Sequence, residues 1–306
     1  MIFLTWKCWQ YVQFPMRQHP IFQYGRQSSR IPMTINYMVK RVIQAMLAVI
    51  AILFVIVLPI PTLITTVSLT VALPILLILF NGTVLGSIWV TNISAIVSKT
   101  RYATQYELLQ LTPLGGLGAS WLLAIGIVHR HDWLKRVYKI IKWVLFVILV
   151  LLALSTILLI VGLLTTDNTQ LQQQQINVLR DVITLTIIMI ALWLDHIQSI
   201  LVAIFLGIVL PTLLPDRVYV RALSPILYLV LQTITYLISG ILYVLIDIIL
   251  TGLLGTTFIS HIAILMLTIV SFYLIRECLL MILLQVILVK YDTLMTDFQQ
   301  LIPIIN

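Results

Sequence analysis

The run Ile140–Leu164, IIKWVLFVILVLLALSTILLIVGLL, is apolar but for one cation and the pair Ser155-Thr156, and shows no alternation of polar with apolar residues. As a helix, such a run is long enough to cross about 30 Å of hydrocarbon. Inside lipid every backbone N–H and C=O needs a partner. A helix supplies it within one segment, whereas strands need a closed barrel and an alternating pattern. Comparable runs recur along the chain, so the expected class is all-α and polytopic. Composition agrees, because 61% of the residues are hydrophobic and only 9% are charged. A soluble domain carries about a quarter of its residues as charges.

Six spans are expected. The first is Val42–Leu58, stopped by Pro59 and Pro61. The second occupies Val71–Val97 within a longer apolar stretch that begins at Leu63. Ile140–Leu164 is the third, and the polar segment TTDNTQLQQQQINVLRD, with its glutamine cluster Gln172–Gln175, is an outer loop. The fourth span is Val182–Leu210, followed by a turn bracketed by Pro211 and Pro215. The fifth is Leu223–Leu250, and the sixth begins near Phe258, after the small-residue turn Gly252–Thr257, and continues to about Lys290. Ala119–Val128 is apolar but too short to cross, which suits an interfacial or re-entrant piece. Three regions result: an interfacial N-terminal segment (1–41), a transmembrane domain (42–290) with a cytoplasmic coupling region (98–139), and a tail (291–306).

The cations orient these spans. With the N-terminus inside, 17 of the 18 Lys and Arg residues fall on cytoplasmic pieces and only Arg180 falls outside. The positive-inside rule then places both termini in the cytoplasm and the chain in the inner or plasma membrane. The net charge of +8 therefore reports topology, and no Lys/Arg block of nucleic-acid type is present. Trp6, Trp9, Tyr11, Phe14, Phe22 and Tyr24 among cations suit a headgroup layer. The start, MIFLTWKCWQ, lacks the apolar core of a cleaved signal. Cys8 and Cys278 are too few and too far apart for a disulfide framework.

Motifs for enzyme chemistry are missing. The sequence holds no phosphate loop, H-E-x-x-H, C-x-x-C pair or G-x-S-x-G elbow. His129-Arg130-His131-Asp132 reads as an interfacial loop rather than a metal cluster. No catalytic residue, metal or cofactor is expected.

Four intramembrane polar residues stand out: Asp195, His196, Gln198 and Ser199, midway along the fourth span. A mid-membrane acid costs several kcal/mol unless it meets a partner. Two readings stay open, a substrate path and a hydrogen-bonded packing contact between helices. Asp247 reads as interfacial. Gly82 and Gly86 form a G-x-x-x-G that permits close helix packing. Arg276-Glu277 reads as the membrane exit of the sixth helix, with the cation snorkelling to the surface.

The segment Arg101–Leu114, RYATQYELLQLTPL, carries the most specific signal. Gln105-Tyr106-Glu107-Leu108-Leu109 followed by Thr112-Pro113-Leu114 resembles the coupling segment of type-two ABC transporter permeases. His19-Pro20-Ile21-Phe22 is similar to the start of their interfacial elbow helix. The resemblance implies a six-helix exporter subunit, working as a dimer and energised by a separate ATPase that docks on Tyr106 and Leu109. Where the family pattern has acids before the coupling helix, this chain has Thr100, Tyr102, Thr104 and Gln105, and Gly25 replaces an elbow acid. These departures carry the alternative: a permease-like structural subunit of a larger energy-converting or photosynthetic membrane complex, with His196 or His261 as a ligand to its pigment or haem.

Overall fold

In the computed structural model the described residues are 4–13, 19–27, 67–101, 115–129, 169–214, 216–255 and 258–292, with short helical pieces between 146 and 162. The expected first span, most of the third, the coupling segment Gln105–Pro113 and the tail beyond 292 lie outside the described residues. Every regular element among the described residues is an α-helix: α1 (Leu4–Gln13), α2 (Pro20–Gln27), α3 (Val67–Arg101), α4 (Gly115–Val128), α5 (Thr169–Leu213), α6 (Arg217–Leu254) and α7 (Phe258–Tyr291).

Three of these are long and apolar enough to cross a membrane: Gln175–Leu213 in α5, all of α6, and Ile259–Tyr291 in α7. Their 39, 38 and 33 residues correspond to about 50–59 Å of helix. That exceeds the hydrocarbon thickness, so their ends reach past it. The chain is a membrane-embedded helical protein.

Two expectations change at the ends of α5. The glutamine cluster is not loop, since the helix begins at Thr169 and runs through it. Unbranched Gln and Leu are good helix formers, so the polar lead continues the apolar helix backward. At the other end α5 runs through Pro211 to Leu213. The turn contracts to the residues just before Arg217, where Asp216 caps α6 by accepting from the Val218 amide at 2.8 Å. Gly255, at φ +69°, ends α6 by donating its amide to the Thr251 carbonyl at 3.0 Å.

The chain forms two compact units. The first comprises 1–130, 199–229 and 280–306; the second comprises 131–198 and 230–279. In the first, α4 is apolar on every side, and Leu117 to Ile127 are all buried. Of the two readings of Ala119–Val128, interfacial or re-entrant, this burial disfavours the interfacial one, because a helix without a polar face belongs inside. α2 lies directly on it: a Cβ on Gly25 would come within 2.8 Å of the Leu123 carbonyl oxygen, and one on Gly126 within 2.6 Å of the Phe22 carbonyl oxygen. Trp121 packs against Phe205 with centroids 5.4 Å apart and the rings tilted by 32°.

The buried face of α3 carries Ser87, Thr91, Ser94 and Ser98 at steps of four, three and four. The hydroxyls of Thr91, Ser94 and Ser98 bond carbonyls of their own helix or, for Ser94, a hydroxyl of a neighbouring one. Thr91 donates to the Ser87 carbonyl at 2.7 Å, and Ser94 donates to the Ser224 hydroxyl at 3.0 Å. Helix ends in the same unit are closed by cations. Arg101 reaches the Pro211 carbonyl at 3.2 Å and Arg217 the Lys99 carbonyl at 3.5 Å, each meeting the negative end of a helix.

Candidate functional site

In the second unit three long helices place a polar group near their own midpoints. Asp195 lies 20 residues after Gln175 and 18 before Leu213; Tyr236 lies 19 after Arg217 and 18 before Leu254; Arg276 lies 17 after Ile259 and 15 before Tyr291. These groups meet. The Arg276 Nη2 atom is 2.5 Å from Asp195 Oδ1, with the two side chains 1% and 3% exposed. The same nitrogen donates to Gln232 Oε1 at 2.5 Å. The Tyr236 hydroxyl donates to the other Asp195 oxygen at 3.0 Å. Arg276 Cζ also lies 5.2 Å from the Tyr236 ring centroid and 5.0 Å from that of Phe272.

Helical spacing explains the convergence. Gln232 and Tyr236 are four apart on α6, as are Phe272 and Arg276 on α7, so each pair lies on one face. Asp195 and Gln198 are three apart on α5. A lone charge at mid-membrane is costly, and a buried pair is tolerated only with close geometry and additional hydrogen bonds. Here both carboxylate oxygens are engaged, and the cation has a carboxylate, an amide oxygen and two aromatic faces. Removing either partner leaves the other charge uncompensated.

This corrects the reading of the Arg276 head as snorkelling to the surface at a membrane exit, because its side chain is buried against Asp195. The helix runs on to Tyr291, as expected, which leaves Arg276 near its middle. A buried carboxylate holds the guanidinium in place of solvent. Glu277 is buried too, at 2% exposure.

The other sequence candidates are distributed as follows. Gln198 donates Nε2 to the Tyr273 carbonyl at 3.4 Å, and its Oε1 is buried without a hydrogen-bond partner among the described residues. His196 is buried at 6% exposure and points about 100° away from Asp195 around α5. Ser199 belongs to the first unit, where its carbonyl faces the Tyr228 hydroxyl at 3.3 Å. There Gly82 presents its carbonyl to the same hydroxyl at 3.2 Å, and Gly86 lies under the Tyr228 ring. Asp247 accepts from Thr251 at 3.3 Å near the end of α6. His261 Nε2 lies 3.2 Å from the Thr184 hydroxyl. Among the described residues no three His, Cys, Asp or Glu side chains group as metal ligands.

Sequence reasoning missed Tyr236 as a partner of Asp195, and Gln232 and Phe272 as partners of Arg276. A usable signal existed: an acid and a base isolated at the centres of two otherwise apolar helices, each with a polar or aromatic neighbour four residues away or on a third helix. Chemically, the arrangement binds a cation and fastens three helices to one another. No protein-family model, curated protein or solved structure matches this chain.

Proposed function

We propose that this chain is the membrane-spanning permease subunit of an ABC-type exporter, with six spans, both termini in the cytoplasm and a separate ATPase supplying energy. The observation that carries this reading is the segment Gln105–Leu109 with Thr112-Pro113-Leu114, placed between cation-rich stretches where an ATPase would dock. The central ion pair supports it. Alternating access needs helices with discrete arrangements, and a charge pair spanning α5 and α7 favours arrangements that keep it closed. Six helices enclose little space, so a second copy completes the path.

Co-purification tests the proposal. The wild-type chain should retain a soluble ATPase. Tyr106→Ala with Leu109→Ala should release it while the membrane domain stays folded, since truncating a buried anchor costs about 2 kcal/mol, roughly a thirty-fold loss of affinity.

A second reading, the structural subunit of a larger membrane complex, is favoured by α6. The most apolar stretch of this helix is wholly unburied, a face that lipid or a neighbouring membrane subunit covers. Repeated recovery with other membrane subunits and never an ATPase would replace the first reading with this one.

A further inference from the structure

The groups described around Arg276 recognise cations generally. A carboxylate oxygen forms an ion pair with its Nη2 atom at 2.5 Å, an amide oxygen accepts from the same nitrogen at 2.5 Å, and two aromatic faces lie 5.0 and 5.2 Å from its central carbon. The helix that carries Asp195 also holds a buried acceptor that Arg276 does not use, on a side chain whose Nε2 bonds the carbonyl of Tyr273, the residue beside Phe272. Gln198 Oε1 lies one turn from Asp195 along α5, in a side chain that is 0% exposed, and accepts nothing among the described residues. An unsatisfied buried acceptor is costly and calls for a donor.

We propose that Asp195, Gln198, Gln232, Tyr236 and Phe272 form a cation-binding site, and that Arg276 occupies it as a tethered stand-in for a guanidinium- or ammonium-bearing substrate. The inference rests on the transport reading and names its substrate class. An incoming cation with several N–H donors takes the place of the Arg276 head, keeps Asp195 paired and also bonds Gln198 Oε1. The long arginine stem lets its head leave without displacing the α7 backbone. The occupant competes with the substrate, so the apparent affinity is reduced by the fraction of molecules whose site is closed.

That competition gives the test a direction that a purely structural ion pair does not share. Methylguanidinium binding is measured on the purified full chain in lipid nanodiscs, without any ATPase. The wild type should bind it saturably, and Arg276→Gln should bind it at least about tenfold tighter, as expected when a self-occupied site is opened. Adding Asp195→Asn to Arg276→Gln should abolish the gain. A folded Arg276→Gln variant that binds no tighter than wild type overturns the proposal. If that variant does not fold, the wild-type chain decides: saturable binding weakened by Phe272→Leu supports the site, and absence of saturable binding overturns it. Failure of the ATPase to co-purify while methylguanidinium still binds would remove the transport reading alone.

Discussion

The Tyr228 hydroxyl lies 3.2 Å from the Gly82 carbonyl oxygen and 3.3 Å from that of Ser199, over the bare face of Gly86. Its single proton serves one carbonyl at a time. The phenol is 0% exposed, and the missing side chain of Gly86 leaves the recess that admits it. The second glycine of this G-x-x-x-G makes room for a ring, while the first contributes its carbonyl.

Gly86→Ala should therefore be strongly disruptive, because the new Cβ overlaps the Tyr228 phenol. A loss of about 1–3 kcal/mol is expected from overpacking. Tyr228→Phe should cost less, about 0.5–1.5 kcal/mol for the hydrogen bond. Combining Gly86→Ala with Tyr228→Leu should recover part of the first loss. Thermal midpoints of the detergent-solubilised variants test this order.

Gly25 and Gly126 form a second close approach. Each would set a Cβ against a backbone carbonyl, and a backbone cannot swing aside as a side-chain end can. Gly25→Ala and Gly126→Ala should each loosen α2 from α4, seen as faster proteolysis at the N-terminal segment. This packing also accounts for glycine at position 25, since no side chain fits between the Gly25 backbone and Leu123.

Orientation is tested by labelling. In a Cys8→Ser, Cys278→Ser background, a cysteine at Leu253, 75% exposed, should react with an impermeant thiol reagent added outside sealed cells. One at Val218, 71% exposed, should react only after permeabilisation. The opposite pattern would invert the topology drawn from the cations.

The last three long helices were readable in the sequence because uninterrupted apolar runs leave lipid or a protein core as their only surroundings. Their ends were less readable. Gln172–Gln175 is polar yet helical, since polarity removes a residue from the membrane without removing it from a helix. Asp195 and Gln198 were visible as polar residues at mid-span. Their partners were not, because Tyr236 and Arg276 meet Asp195, and the Tyr273 carbonyl meets Gln198, only through packing of separate helices, which periodicity within one helix does not encode. Arg276 was misplaced for a related reason: a cation late in a span looks like an exit until its buried partner on another helix is seen. The small hydroxyls Ser87, Thr91, Ser94 and Ser98 went unnoticed as a face, because serine and threonine interrupt an apolar run only weakly.

The measurement closest to the central claim is a double-mutant cycle on Asp195 and Arg276, read as resistance to unfolding in bicelles. Asp195→Asn and Arg276→Gln alone each strand a buried charge and should each cost about 3–5 kcal/mol. With both changes neither charge remains, so the double variant should be more stable than either single one, giving a coupling of several kcal/mol. A double variant that loses the sum of the two single losses would contradict an ion pair at the centre of these helices.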